Sequence, residues 1–470
     1  MAPLLVGAMA VPAWAGGPTP ADAGGPAGGL ASPEARRPVE SARLSAELRK
    51  AVDDQRFADG LVDLLPPATS PADLLREDIG GGPWPMRPND ASVPNTRTPN
   101  VDAAVIELDG SGRPSAVANV LLSKDYPHGV VVPVDEDLGT TQVRWRRWNT
   151  EEWDAGSAGS EDVVPGREHA PLEMMSPYPA SVLKLMVGFG ILQQVDEGVL
   201  GLDDDLAYAP ANTSCGEPGT MTIAEWFELM ITVSDNRATC ALLKKLHDLG
   251  EVDPLNATFA DLGLGTLQVR GSNPATGGTW LGMNMSALDT ARLLLVVSGA
   301  SGELWRTPAG DPVTADLLSA SSREFFTGHL ADQGLNQALS TTNWCGRDYP
   351  AAGIPQRVPD RWIDPDDGTV TVAGRVFGQD VRPCNETAEV EFAHKTGLTN
   401  QAGGDAGIVR SLPGAGARQR SYIVVVYTNL GLRFADAHKP ADPPGIHPVS
   451  YTEKIATLGR DIDLIMARRG

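Results

Sequence analysis

The sequence predicts an α/β protein in which an antiparallel sheet, built from both chain ends and flanked by helices, lies beside an all-helical lobe. Three observations predict it. Strand-like apolar runs occur between residues 103 and 122, similar runs return between 390 and 428, and the stretch between them has mainly helical apolar spacing. Because strands at both ends must bury their apolar faces, we expect them to share one sheet.

The N-terminus has the features of an export signal. The apolar run within residues 1–15 is too short to span a bilayer and ends in the small-x-small pattern of Ala13 to Ala15, although no basic residue precedes it. Residues 16–40 are rich in Gly, Pro and Ala, which predicts a disordered linker, and residues 41–470 are expected to form one domain. We therefore expect a secreted protein, located outside the cell or in the cell-wall space, without a membrane anchor after cleavage.

The first elements of the domain follow from local patterns. Composition predicts a helix from Ser41 to Leu65, ended by Pro66 and Pro67. A hairpin is predicted from strands at 103–109 and 117–122. The charged, Trp-rich segment 125–165 is interpreted as an insertion. Within it, residues 143–148 form either a core strand, which is the commoner case, or a peptide-binding strand.

Helical signals dominate the middle of the chain. A buried helix is predicted from Ala180 to a stop at Gly198, and Thr222 with Glu225 forms a capping box that opens another helix. The triplet 234–236 interrupts this helix before it continues to Leu249.

The C-terminal part returns to strands. Residues 360–388 are interpreted as a second insertion, and strands are predicted at 390–396, 405–409 and 422–428. Ser450 is predicted to cap a final helix. Its apolar face comprises Ile455, Leu458, Ile462 and Ile465.

Charge and cysteine content exclude several classes of function. The chain has 38 basic and 60 acidic residues, a net charge of −22, which argues against a nucleic-acid or anionic-membrane partner. The four cysteines are an even number in a chain that we expect to be exported, and this favours two disulfides. Nearness in sequence suggests Cys215 with Cys240 and Cys345 with Cys384. The other two connectivities remain open, and Cys240 could instead be a small buried apolar residue.

No cofactor or metal is predicted. The cysteines and the seven histidines lack the spacing of metal ligands.

Three short motifs occur in an order that supplies one acyl-transfer site. They are Ser181-Val-Leu-Lys184, residues 234–236 (Ser-Asp-Asn) and residues 395–397 (Lys-Thr-Gly). Ser181 is the only serine with a lysine three positions later. Each motif alone is weak evidence, but the ordered set is specific.

Ser181 is the predicted nucleophile. A serine hydroxyl needs a nearby base, and Lys184 shares its helix face one turn later. Burial would favour the neutral amine that accepts a proton. The alternative for Lys184 is a surface lysine, which its apolar neighbours disfavour. Free amides at the helix start can stabilise an oxyanion.

The second motif is predicted to serve the leaving group. Ser234 would relay a proton to the leaving nitrogen, and Asn236 would bind a substrate amide. Asp235 is expected to cap the local turn rather than contact substrate.

The third motif is predicted to bind the substrate's carboxylate. Lys395 would supply a cation near Ser234, Thr396 would hydrogen-bond the carboxylate, and Gly397 would let substrate backbone lie close to the strand. The amide of Leu398 is a second candidate oxyanion donor beside that of Ser181.

These motifs make the chain similar to the penicillin-recognising serine enzymes, and to the class A β-lactamase-like branch among them. The wider sequence around Ser181 and Lys395, and the stretches 353–359 and 405–409, also resemble this family, over roughly residues 100–470. The resemblance implies an α/β fold with an all-helical lobe and a site at the lobe boundary, within a β-lactamase-like catalytic domain.

The departures from the family concern deacylation. A class A β-lactamase is expected to carry a glutamate on a loop after the Ser-Asp-Asn helix, yet residues 262–288 contain no Asp or Glu. Cys240 replaces an asparagine that the family has four residues after Asn236, and no arginine directly precedes Gly407. Acylation is expected to be intact and rapid deacylation of a penicillin to be impaired.

The sequence thus leaves three hypotheses. The first is a secreted serine hydrolase, monomeric and acylated by a small-molecule β-lactam or a related amide. The second is a D-Ala-D-Ala carboxypeptidase or penicillin-binding protein that acts on peptidoglycan peptides and deacylates slowly. The third is a binding protein that has lost turnover.

Overall fold

The computed structural model describes residues 33–63, 93–94, 97–345, 351–377, 379–415, 419–438 and 452–470. The predicted signal peptide, residues 16–32 of the predicted linker, the proline stop at 66–67 and the Ser450 cap lie outside the described residues. Within the described ranges, no helix is long and apolar enough to cross a membrane.

A six-stranded antiparallel sheet forms the centre of the molecule, and both chain ends build it as predicted. In chain order its strands are β1 (Val101–Leu108), β2 (Pro114–Ser123), β3 (Tyr126–Val131), β4 (Val390–Leu398), β5 (Gly403–Ser411) and β6 (Ser421–Thr428). Their spatial order is β4-β5-β6-β1-β2-β3, so β4 and β3 are the edges.

Eight longer helices complete the described fold. They are α1 (Pro33–Asp54), α2 (Lys184–Asp196), α3 (Ile223–Thr232), α4 (Asn236–Leu249), α5 (Val252–Asp261), α6 (Ala287–Val297), α7 (Ala320–Ala331) and α8 (Thr452–Arg469). Helices α2 to α7 form the predicted helical lobe. The predicted α/β architecture is confirmed.

The sheet is covered on both faces, which explains its continuous apolar strands. Along β6, Ile423 and Val425 belong to the core shared with the helical lobe. Their neighbours Val424 and Val426 pack with α1 and α8 instead. Because successive strand residues point to opposite faces, a strand buried on both sides must be apolar throughout.

Most predicted boundaries in the helical lobe are confirmed. Thr222 and Glu225 form both bonds of a capping box. Helix α3 ends at Thr232, and α4 begins at Asn236. The helix after Ala180 ends at Asp196, and Gly198 follows with φ of 73°.

The N-terminal helix differs from its prediction at both ends. It begins at Pro33 rather than at Ser41, so part of the predicted linker is helical. A proline at the first helical position has no amide hydrogen to leave unpaired, which suits it to that start. The helix ends at Asp54 rather than Leu65, and Arg56 follows with φ of 46°, a left-handed conformation that a right-handed helix cannot contain.

The predicted insertion at 125–165 is partly wrong, because Tyr126–Val131 is strand β3 of the central sheet. An edge strand is half exposed and can therefore contain polar residues. Because of these residues, the sequence did not show the apolar pattern that predicts a strand here. Farther on, Val143–Arg146 pairs in parallel with Leu172–Met175, and Val143 and Trp145 are buried in a small core. This favours the core-strand interpretation.

Both suggested disulfides are present, Cys215–Cys240 and Cys345–Cys384. The second holds the 360–388 region, where a two-stranded hairpin (Val370–Val372 and Arg375–Phe377) packs in its own apolar cluster.

Candidate active site

Ser181 lies in a 3₁₀ turn, Ala180–Leu183, which leads directly into α2. Val182 and Leu183 are buried, whereas Ser181 is half-buried. Ala180 has φ of 49°, the left-handed region that favours glycine. A strained residue next to a reactive group is a common property of functional sites.

Lys184 is completely buried, which excludes the surface-lysine alternative. Its Nζ lies 2.7 Å from the carbonyl oxygen of Ser234, 2.9 Å from the hydroxyl of Ser234 and 2.9 Å from Oδ1 of Asn236. No hydrogen bond in the described part of the chain joins Lys184 to Ser181. The first two motifs therefore meet, but through Ser234 and Asn236.

Ser234 lies between two lysines. Its Oγ is 2.9 Å from Nζ of Lys184 and 3.0 Å from Nζ of Lys395. The hydroxyl is placed there by an unusual backbone conformation, since Ser234 has φ of 59°. This conformation breaks the path of the chain between α3 and α4 and turns the side chain towards both lysines.

Burial shapes the electrostatics of the two lysines. It lowers the pKa of Lys184 well below its ordinary value, the Lys395 charge lowers that pKa further, and Asp235 opposes both effects. Burial also lowers the pKa of Lys395 to about 7, against the opposing effect of Asp405. The site therefore favours a neutral amine at Lys184.

The remaining residues of the second motif lie at the start of α4. Oδ1 of Asp235 accepts a bond from the amide of Ala238 at 2.6 Å, as expected for a helix cap. Oδ1 of Asn236 accepts a hydrogen bond from Nζ of Lys184. The Nδ2 group of Asn236 is the part of that side chain that could donate to a substrate carbonyl.

Gly397 on edge strand β4 packs against the Ser181 turn. A Cβ at this position would lie 2.7 Å from the carbonyl oxygen of Pro179 and 2.9 Å from the amide nitrogens of Ser181 and Val182. Only glycine allows this approach. Leu398, the next residue along β4, is predicted to form the oxyanion site with the amide of Ser181.

Thr396 is buried, as are Lys395 and Gly397 on either side of it. It is 2% exposed, and its Oγ1 has no hydrogen-bond partner among the described residues. A substrate carboxylate would have to approach a buried hydroxyl, so the role assigned to Thr396 stays a prediction.

Sequence reasoning missed a polar network behind the third motif. His394, whose side chain is completely buried, lies 2.8 Å from Asp405 Oδ1 through Nδ1 and 2.9 Å from Asn336 Oδ1 through Nε2. Nε2 of Gln333 lies 3.3 Å from the carbonyl oxygen of His394. The only available signal was a histidine beside Lys395.

Residues 262–288, which contain no acidic residue, include a segment that packs closely against α4. Gly277 has φ of 73°, and a Cβ there would lie 2.0 Å from the carbonyl oxygen of Cys240. Arg147, from the predicted insertion, holds the same segment by donating to Oε1 of Gln268 at 2.8 Å and to the carbonyl of Gly282 at 2.6 Å. Backbone and disulfide thus occupy the side of α4 where the family pattern has an asparagine.

Within the described residues, no cluster of three or more His, Cys, Asp or Glu side chains is arranged to hold a metal ion.

Comparison with known proteins gives a family-model match over the region around the first two motifs. Residues 174–340 match the model of the beta-lactamase enzyme family. This match includes Ser181, Lys184 and Ser234 but ends before Lys395. No curated protein matches the chain.

Solved structures give distant matches. A mutant of PBP-A, solved as its acyl-enzyme complex with penicillin G, is 18% identical with a TM-score of 0.42 and covers 79% of this chain and 92% of its own. A beta-lactamase from Sphaerobacter thermophilus is 14% identical, with a TM-score of 0.40 and coverage of 78% and 92%. One from Chitinophaga pinensis is 18% identical, with a TM-score of 0.36 and coverage of 62% and 86%.

Proposed function

We propose that this chain, whose residues 174–340 match the model of the beta-lactamase enzyme family, is a serine hydrolase acylated at Ser181 by a β-lactam or a related amide, with hydrolysis of the acyl-enzyme completing the cycle. The observation that carries this proposal is the shared hydroxyl of Ser234, 2.9 Å from Lys184 Nζ and 3.0 Å from Lys395 Nζ. It joins the three motifs into one proton-transfer path.

In the proposed acylation, Ser181 Oγ attacks the substrate's carbonyl carbon. Neutral Lys184 takes the hydroxyl proton once its Nζ turns towards Ser181. The amides of Ser181 and Leu398 stabilise the oxyanion. The amide C–N bond then breaks, and the leaving nitrogen receives a proton through Ser234.

Substrate binding is assigned to the remaining motif residues. Lys395, protonated, would pair with the substrate's carboxylate together with Thr396, while Nδ2 of Asn236 would donate to the substrate's amide carbonyl. This set suits a small molecule that carries an amide, a scissile carbonyl and a nearby carboxylate.

Slow deacylation is favoured by a second observation. Among the described acids, Asp235 and Asp405 are the ones that act on the two lysines, and each is already engaged, Asp235 as a helix cap and Asp405 with His394. Residues 262–288 contain no acid at all. The alternative function is therefore a D-Ala-D-Ala carboxypeptidase or penicillin-binding protein that acts on peptidoglycan peptides.

Export to the cell surface or cell-wall space is part of the proposal. Its support is the pair of disulfides, which persist in oxidising compartments.

The test is intact mass spectrometry of the protein mixed with benzylpenicillin. Ser181→Ala should form no adduct, and Ser321→Ala, an exposed serine on α7, should react as the native chain does. An adduct that clears within seconds supports a β-lactamase, and one that persists for hours supports a penicillin-binding protein. Absence of an adduct on the native chain contradicts both and favours a binding protein without turnover.

A further inference from the structure

The two halves of the candidate site come from different lobes. Ser234 follows helix α3 of the helical lobe, and Lys395 lies on edge strand β4 of the sheet. The 3.0 Å spacing between Ser234 Oγ and Lys395 Nζ therefore depends on how α3 and β4 are held together.

One buried side chain bonds to both elements. Gln333 has no exposed surface, and its Nε2 donates to the carbonyl of Ile231 at 3.0 Å and to the carbonyl of His394 at 3.3 Å. Ile231 lies in the last turn of α3, where carbonyls have no partner within the helix. His394 directly precedes Lys395 on an edge strand. Gln333 thus bonds to the backbone three residues before Ser234 and one residue before Lys395.

The orientation of this amide is determined by its other contact. Oε1 of Gln333 accepts from the amide of Leu335 at 3.0 Å, so the nitrogen must face the two carbonyls. The amide of Gly334 adds a backbone bond to the carbonyl of Thr232 at 2.8 Å. Residues 333–336, which follow α7, form what we call the bridging segment.

A second side chain of the bridging segment, that of Asn336, contacts β4 through His394. Asn336 donates through Nδ2 to Gln333 O at 3.1 Å and Asn343 Oδ1 at 3.1 Å, so its Oδ1 is the acceptor that faces His394 Nε2. Nδ1 of His394 faces the carboxylate of Asp405. Both ring nitrogens of His394 therefore face an oxygen atom, which holds the ring between Asn336 and Asp405.

We propose that Gln333 is a positioning residue that sets the spacing of Ser234 and Lys395, with Asn336 supporting the strand through His394. The inference rests on the proposed function, because it assigns Gln333 a part in that same site. Gln333 contacts neither Ser181 nor either catalytic lysine in the described hydrogen bonds, so it acts through α3 and β4.

The proposal makes a prediction that a purely structural role does not. The charged groups that act on Lys184 are Lys395 on β4 and Asp235, which caps α4, and Lys395 in turn is acted on by Asp405 on β5. If the bridging segment holds α3 and β4 together less tightly, the two lysines move apart. The Lys395 charge then lowers the pKa of Lys184 less. The midpoint of Lys184 titration should then move to higher pH.

The experiment uses Gln333→Met, which keeps the length of the side chain but removes both donors, with Gln333→Ala as the second variant. Gln194→Leu is the matched control, because Gln194 is a buried glutamine at the far end of α2. The titration of the lysine side chains is followed by NMR in protein labelled with ¹³C-lysine. Circular dichroism checks the fold.

In a Gln333 variant that stays folded, the Lys184 resonance should titrate at higher pH than in the native chain, and benzylpenicillin should acylate Ser181 at least about tenfold more slowly. Unchanged lysine titration in the folded Gln333 variants, or the same shift in Gln194→Leu, overturns the proposal. NMR needs no substrate, so a native chain that benzylpenicillin fails to acylate would contradict the proposed function while the titration still decides the role of Gln333.

Discussion

Gly397 and Ser181 are in direct backbone contact across the lobe boundary, and a Cβ on Gly397 would lie 2.9 Å from the Ser181 nitrogen. Real Cβ atoms do not approach backbone atoms this closely. Strand β4 and the turn that contains Ser181 can therefore be adjacent only with glycine at position 397. The contact aligns the amide of Ser181 with the strand that carries Lys395.

Gly397→Ala should therefore damage the site more than the fold. The added methyl must push the Ser181 turn away from β4, which displaces the proposed nucleophile from the proposed oxyanion donors. We expect acylation by benzylpenicillin to slow by about 100-fold or more and the free energy of unfolding to fall by about 1–3 kcal/mol. Acylation rates and urea unfolding measure the two effects.

The matched control is Gly328→Ala on α7, where a Cβ would meet nothing within 4 Å. This change should stabilise the helix by roughly 0.5–1 kcal/mol and leave acylation unchanged. Native acylation by Gly397→Ala would show that the close contact has no part in the reaction.

Removal of the Ser234 hydroxyl should interrupt the path between the lysines. In Ser234→Ala, both Nζ groups lose the acceptor at 2.9 and 3.0 Å, and the leaving nitrogen loses its proposed proton relay. Acylation should slow by about 10²–10⁴-fold. Ser298→Ala is the control and should react normally, because the Ser298 hydroxyl donates to the carbonyl of Leu295, far along the chain from the three motifs. If both variants react equally, Ser234 is not the relay.

The three motifs were recognisable from sequence because each is local, and the capping box and the interrupted helix followed from spacing of the same kind. Nearness in sequence suggested both disulfides but left the other connectivities open. The bridging segment was not recognisable. Gln333 and His394 are 61 residues apart, and a glutamine after a helix has no distinctive local pattern. Nor does a threonine beside a lysine reveal that its hydroxyl is buried, because strand alternation assigns a face but not the depth of packing over it.

The pH dependence of acylation should be bell-shaped. The rate should fall at low pH as Lys184 gains a proton and can no longer act as a base, with a midpoint well below the ordinary lysine range. It should also fall above about pH 7, the pKa to which burial lowers Lys395, because the cation that attracts the substrate's carboxylate is then lost. The second-order acylation constant reports these groups in the free enzyme.

Lys395→Arg distinguishes the groups that cause the acidic and the alkaline fall of the acylation rate. Arginine stays charged, so the acylation rate of this variant should still fall at low pH but should no longer fall above about pH 7. The overall rate should be lower, because the guanidinium has a different shape. If the rate of Lys395→Arg still falls above about pH 7, that fall belongs to another titrating group.

The stability of the native chain should decrease as pH rises from about 4 to about 7 because of Asp102. This carboxylate on β1 is fully buried, accepts from the amide of Ala287 at the start of α6 at 2.7 Å and from Nδ2 of Asn119 at 2.8 Å, and burial raises its pKa from 3.8 to about 7. An acid whose pKa is raised on folding binds its proton more tightly in the folded state. Its contribution is therefore largest below the unfolded pKa and is lost as pH approaches the folded one.

The shift corresponds to a loss on the order of 4 kcal/mol across that range. Asp102→Asn removes the titration, so its free energy of unfolding should vary less between pH 4 and 7 than that of the native chain, even if the variant is less stable throughout. Asp253→Asn, an exposed carboxylate on α5, should follow the native curve. Urea unfolding at several pH values gives the slopes, and parallel curves for the native chain and Asp102→Asn would show that Asp102 stays ionised in the folded protein throughout the range.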